Sequence, residues 1–247
     1  MTPRRVLWEG GGVRKLGFWP RFAVILVKPL MTALTRRDWR GFEHIPATGG
    51  VILAFNHVSH ADPFTAAHYV YDSGRWPQFL AKESVFRIPV AGKILHWCRQ
   101  IPVFRGTVDA AKALDAAISA VSAGGCVVIY PEGTTTREPN LWPMKGKTGV
   151  ARLALATGAP VIPIAQDGAQ QLFDPRTKKF RLKRVPVAVW AGPPVDLSAW
   201  QGAEPTRAVL DAVTDEITNH IRDLLSEIRG EPAPPIYVPV RAGKGQA

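Results

Sequence analysis

The chain has 247 residues, 46% hydrophobic and 21% charged, which excludes a disordered, fibrous or collagen-like protein and leaves one large globular domain with or without an appendage. Its 31 Lys and Arg against 20 Asp and Glu give a formal +11, a balance that asks for a polyanionic partner, either nucleic acid or an anionic membrane surface. Two cysteines, Cys98 and Cys126, are too few for a disulfide framework and read as a reducing, cytosol-facing location.

The first segment holds most of the charge excess. Residues 1–40 contain nine Lys and Arg against Glu9 and Asp38, a local +7, while the other 207 residues carry +4. The basic residues alternate with Trp8, Phe18, Trp19, Phe22 and the run Ala23-Val24-Ile25-Leu26-Val27, a composition closer to a membrane surface than to nucleic acid. Arg21 and Lys28 bracket six apolar residues, far short of the ~20 that cross a bilayer. Lys28-Pro29 then stands where a secretory signal would offer small residues for cleavage. Two readings remain: an amphipathic helix lying in an anionic interface, at about 1 kcal/mol per basic residue, or a helix packed on the domain with a solvated basic face. The first is preferred.

Gly50–Phe55 is a continuous apolar run that reads as a buried strand. It leads into Asn56-His57-Val58-Ser59-His60-Ala61-Asp62-Pro63, where Asp62 as N-cap and Pro63 at the first helical position start a helix. Ile101–Arg105 is strand-like and ends in a cation. Thr107–Ala123 carries apolar residues at helical spacing and stops at Gly124-Gly125. Cys126–Tyr130 reads as a second buried strand, followed by the polar turn Pro131–Arg137. Lys147–Thr157 is a helix that stops at Gly158, and Pro160–Ala165 and Val185–Ala191 are further strands. Pro205–Arg229 is the longest helix, with Leu210, Val213, Ile217, Ile221, Leu224 and Ile228 on one face and Gly230 after it. From Glu231 the tail has four prolines in nine residues and reads as extended or loose. Unbroken apolar strands separated by helices indicate an α/β fold, a mainly parallel central sheet flanked by helices, with chemistry at the carboxyl ends of the strands.

Two strand ends are chemically loaded. A turn as short as Asn56–Asp62 can fold His57 back toward the Asp62 carboxylate, which would fix the imidazole tautomer and support it as a base; the plainer reading is a helix cap and a surface histidine. Near Glu132, Gly133 and Thr134 lie Arg137, Lys145 and Lys147, and Lys145-Gly146-Lys147-Thr148-Gly149 opens a helix whose backbone N–H groups and lysines suit an anion. Arg105 adds a third cationic segment.

At these residues the sequence resembles the glycerolipid acyltransferase family, which includes the 1-acyl-sn-glycerol-3-phosphate (lysophosphatidate) acyltransferases. Asn56-His57 with Asp62 matches that family's Asn-His-x4-Asp motif. Ile101-Pro102-Val103-Phe104-Arg105 matches its run ending in Arg, Tyr130-Pro131-Glu132-Gly133-Thr134 its Phe-Pro-Glu-Gly-Thr-Arg, and Val161-Ile162-Pro163-Ile164 its apolar strand with a central Pro. Order and spacing agree over roughly residues 40–195. The chain departs from the pattern at Thr135, where the family has Arg, and at Phe104, where an acidic residue is frequent.

The resemblance implies an acyl transfer to a hydroxyl of lysophosphatidate, with glycerol 3-phosphate or another lysolipid as the alternative acceptor. His57 would be the general base and Asp62 its orienting partner, with no metal and no cofactor beyond an acyl-CoA or acyl-carrier-protein donor. Asn56, Lys82, Arg105, Glu132, Gly133, Thr134, Arg137, Lys145 and Lys147 would meet the phosphorylated acceptor, with Glu132 ordering the cationic turn or bonding the acceptor. A peripheral location on the cytoplasmic face of an anionic membrane follows, with no role for nucleic acid. Two readings of other classes compete: a metal-dependent hydrolase using His57, His60 and Asp62, and a basic nucleic-acid-binding module carried by charge alone. The expected organisation is an interfacial anchor over 1–40, an α/β domain over 41–230 and a Pro-rich tail over 231–247. The +11 divides between that anchor and a smaller set around Arg105, Arg137, Lys145 and Lys147.

Overall fold

The computed structural model describes residues 17–103 and 110–239. Helix α1 (Phe18–Leu34) leads directly into strand β1 (Thr35–Arg40). Then follow β2 (Val51–Phe55), α2 (Asp62–Asp72), β3 (Pro77–Lys82), the short α3 (Glu83–Phe86) and α4 (Ala91–Trp97), and β4 (Ile101–Val103). The second half comprises α5 (Ala110–Ser122), β5 (Cys126–Ile129), α6 (Gly149–Thr157), β6 (Val161–Asp167), β7 (Val185–Ala191) and α7 (Arg207–Arg229). Seven strands form one sheet in the order β1-β7-β6-β2-β5-β3-β4. Every pairing is parallel except β6 with β7.

The unbroken apolar runs of the central strands have a direct cause: both faces of the sheet are covered. On β2, Ile52 and Ala54 join a cluster with Leu153 of α6 and Leu210, Ile217 and Ile221 of α7. Val51, Leu53 and Phe55 point the other way, into a cluster with Met31 of α1 and Tyr69 of α2. Helix α7 ends as its sequence requires. Thr206 caps it by accepting from the Val209 N–H at 3.3 Å, and Gly230 closes it in the left-handed region at φ 68°.

The boundary expected at residue 40 falls earlier. Thr35–Arg40 is an edge strand, paired in parallel with β7 from Thr35↔Val185 to Arg40↔Trp190. Its charged, exposed residues are typical of a strand that must not recruit another chain, which is why the hydrophobic pattern missed it. Arg36, Arg37 and Arg40 therefore belong to the domain, and Arg40 is bonded to Asp38 at 3.0 Å and lies over the Trp190 ring at 4.0 Å. The tail is extended but docked as far as it is described: the Lys145 N–H donates to the Tyr237 carbonyl at 2.9 Å, and the Arg222 guanidinium donates to the carbonyls of Pro143 and Pro234.

Candidate active site

The parallel strands β2, β5, β3 and β4 all end on one side of the sheet, so the turns after them meet there. The first turn brings His57 back onto Asp62: Nδ1 lies 2.8 Å from Oδ2. The same carboxylate oxygen accepts from the backbone N–H groups of Val58 at 2.6 Å and Ser59 at 2.7 Å. Asp62 is thus the first residue of α2 but does not cap it, contrary to expectation; its carboxylate turns back to tie the preceding loop. It is wholly buried. Burial pushes its carboxyl up, opposed by His57 and the two backbone donors.

The turn after β5 clasps the same histidine from behind. One Glu132 oxygen accepts from the His57 N–H at 2.8 Å and the other from the Met144 N–H at 3.2 Å. The His57 carbonyl in turn accepts from the Thr136 N–H at 2.7 Å. Glu132 is buried, and that burial pushes its carboxyl up to about 8. Tyr130 stacks under the imidazole, ring centroids 4.3 Å apart and planes 24° from parallel.

The sequence model of the acyltransferase family matches residues 36–167, which hold every element of this constellation. The chain belongs to the acyltransferase family. It is similar to a chloroplastic 1-acyl-sn-glycerol-3-phosphate acyltransferase of Brassica napus, 29% identical over 143 residues that cover 56% of this chain and 39% of that protein. It is also similar to a 1-acyl-sn-glycerol-3-phosphate acyltransferase of Borreliella burgdorferi, 31% identical over 134 residues, 54% of this chain and 52% of that one. The chain thus spans about half or less of these two relatives. A longer match, 87% of this chain and 68% of its partner at 26% identity, is to an uncharacterized protein of Mycobacterium tuberculosis. The solved structure of the 1-acyl-sn-glycerophosphate acyltransferase PlsC from Thermotoga maritima shares the fold, with a TM-score of 0.60 at 22% identity over 84% of this chain and 83% of that one.

In this member of the acyltransferase family, His57 opens onto a cavity of about 810 Å³. Pro63, Phe64, Ala67, His68 and Tyr71, spaced three and four apart, line it along one face of α2, for about 12 Å at the usual helical rise. Ala23, Val24 and Val27 of α1 and Leu80, Ile94 and Leu95 complete an apolar wall. At the His57 end the lining turns polar, with Lys82, Gly133, Thr134, Thr135 and Lys147. Gly133 sits at φ 68°, and a Cβ there would stand 3.0 Å from the Lys147 ammonium, so the glycine leaves that lysine its place over the turn.

The expected site residues separate accordingly. His57, Lys82, Gly133, Thr134 and Lys147 line one cavity, with Asp62 directly behind His57. Three others are turned elsewhere. Asn56, expected to meet substrate, is buried with its amide spent on the Gln166 backbone at 2.9 and 2.7 Å, which clamps β2 to β6. Lys145 reaches Asp215 at 3.3 Å, and Arg137 is exposed and off the cavity wall. Glu132 is occupied by the backbone N–H groups of His57 and Met144. Arg105 lies outside the described residues. His60 packs edge-on against Phe173, and no group of three or more His, Cys, Asp or Glu among the described residues is placed to hold a metal ion. Reading the sequence missed Tyr130 and Gln166. The signals for the first were an aromatic residue directly after a buried strand and its place at the Phe of the matched motif, and for the second, 110 residues from Asn56, there was none.

Proposed function

We propose that the chain moves a fatty acyl group from an acyl thioester, carried by CoA or acyl-carrier protein, to a hydroxyl of lysophosphatidate. The 2.8 Å contact between His57 and Asp62, set beside a largely apolar cavity whose lining also includes Lys82 and Lys147, carries this reading. With the Nδ1 proton held by Asp62, Nε2 is left as an acceptor and takes the proton of the acceptor hydroxyl. The oxygen attacks the thioester carbonyl, the tetrahedral intermediate expels the thiolate, and the proton on His57 passes to that sulfur. No acyl-enzyme is required. Lys82 and Lys147 hold the phosphate and so orient the hydroxyl, an effect that reaches about 7–11 kcal/mol in well-held cases. The acyl chain lies along α2.

Glycerol 3-phosphate is the second acceptor to weigh, because Thr135 stands where the family has Arg and the phosphate grip is changed. The exposed Phe18, Ile25, Leu26 and Leu30 of α1 support a membrane-surface location. No described helix is long and apolar enough to cross a membrane. The test is product analysis by mass spectrometry with both acceptors and a ladder of acyl donors, wild type beside His57→Ala and Asp62→Asn. Near wild-type transfer by either folded variant would overturn the dyad, and product from neither acceptor would overturn the substrate class.

A further inference from the structure

Outside residues 1–40, the charge excess has an address that the site does not use. Residues 174–184 contain Arg176, Lys178, Lys179, Arg181, Lys183 and Arg184 against Asp174 alone, a local +5. With +7 in residues 1–40, the remainder of the chain is left at −1. A further share of the +11, which the sequence-based division did not assign, therefore lies between β6 and β7.

This segment is a built hairpin. Phe173 and Phe180 form an antiparallel bridge, the Arg181 N–H donates to the Leu172 carbonyl at 2.8 Å, and a tight turn at the tip joins the Lys178 N–H to the Asp174 carbonyl at 2.9 Å. Residues 176–184 are exposed without a break. Among the described residues, Lys178, Lys179, Arg181, Lys183 and Arg184 form no ion pair. Between them Phe180 is 52% and Leu182 81% exposed. Exposed aromatic and aliphatic side chains between unpaired cations suit a headgroup interface, where the cations meet lipid phosphate and the apolar groups enter the acyl boundary.

Its attachments place it beside the reaction. Phe173, at the base of the hairpin, accepts the Ser59 hydroxyl on its carbonyl at 2.6 Å and packs its ring on His60. At the other base, the Arg184 guanidinium reaches the carbonyl of Thr35, the residue after α1, and β1 then adds Arg36 and Arg37 on the same edge.

We propose that this hairpin is a membrane-docking element that seats on anionic lipid headgroups, with Phe180 and Leu182 inserted, and holds the catalytic turn against the bilayer. The lipid is preferred to an acidic protein because Leu182 offers no hydrogen bond or charge and the hairpin joins the end of the apolar-faced α1. The choice of partner rests on the lipid-surface reading above, and the hairpin's role does not depend on the acyl acceptor.

The test uses the full chain with a single environment-sensitive fluorophore on Leu182→Cys, on Ile25→Cys in α1, or on the exposed Gln201→Cys as a control; Cys98 and Cys126 are buried. Vesicles of phosphatidylglycerol and phosphatidylcholine are compared with phosphatidylcholine alone. A blue shift at position 182 on the anionic vesicles only, reversed by salt, is expected. The triple variant Lys179→Gln, Arg181→Gln, Lys183→Gln should bind those vesicles about a hundredfold more weakly. It should retain transfer from acyl-CoA to a water-soluble short-chain acceptor. A shift at 25 but not at 182 overturns the hairpin and leaves α1 as the contact; no shift at either overturns both. A triple variant that keeps vesicle binding but loses turnover only with acyl-carrier-protein donors overturns it in favour of an acidic protein. A wild type without acyl transfer would sink the proposed function and leave the fluorescence result standing.

Discussion

His57 and His68 line the same cavity, and each has an aspartate a short step along the chain, but they are built for opposite ends of it. His57 sits in a turn, and the five-residue step to Asp62 folds back to a 2.8 Å contact with a carboxylate that two backbone N–H groups also hold. His68 sits in α2, where helix geometry keeps its Nε2 3.7 Å from Asp72 and the Asp72 carboxylate is bonded to Lys28 at 2.7 Å. Neither His68 nitrogen has a hydrogen bond. Burial pushes its imidazole down to about 4, against the pull of Asp72, so the ring stays neutral at physiological pH. The same pair of residue types gives a hydrogen-bonded His–Asp contact where the backbone is irregular and an uncharged wall where it is regular.

The sharpest break of this contrast would be a similar loss at both positions. His57→Ala is expected to lower kcat by ~10²–10⁴-fold, while His68→Phe should lower it less than tenfold and show itself in donor chain-length preference. Steady-state rates across a donor ladder decide the matter. Next in size, Lys147→Ala should raise KM for the phosphorylated acceptor about ten- to hundredfold, the worth of a charge-assisted hydrogen bond. The donor KM should stay near wild type, and a change in it instead would move Lys147 out of the acceptor's end.

Glu132 tests how tightly the polar end is braced. Held at about 8 when folded against its ordinary 4.5, this carboxyl keeps a proton that the unfolded chain releases, so stability declines as pH rises between those values. The raised carboxyl of Asp62 adds in the same sense. Glu132→Gln should flatten that decline in urea melts from pH 5 to 9, and cost about 1–3 kcal/mol where the mismatched amide leaves a backbone N–H unpaired. An unchanged slope would remove Glu132 as its source. At the apolar end, Ala67→Phe should shift donor preference several-fold toward shorter chains without altering the acceptor KM; an unshifted ladder would mean that the acyl chain does not run along α2.

What the sequence disclosed follows the same division. The His57–Asp62 contact is legible because both partners lie within six residues, and the turn after Tyr130 because its residues are contiguous. Strands β2, β5 and β6 are legible because both faces are buried and the apolar runs are continuous. Asn56 and Lys145 were misread because their partners, Gln166 and Asp215, are 110 and 70 residues away. Strand β1 was missed because its edge position calls for charge, and the cavity because its walls come from five helices and three strands that meet only in the folded chain.

The position of α1 carries a practical consequence. Its outward face holds Ile25, Leu26 and Leu30, yet Val24 and Val27 wall the cavity and Met31 is buried in the core. A version trimmed of this helix for easier handling would therefore lose one wall of the cavity beside His57, and its inactivity would say nothing about lipid attachment. A water-soluble form has to be sought by recolouring the outward residues with polar ones while leaving the backbone of α1 and its inner side in place.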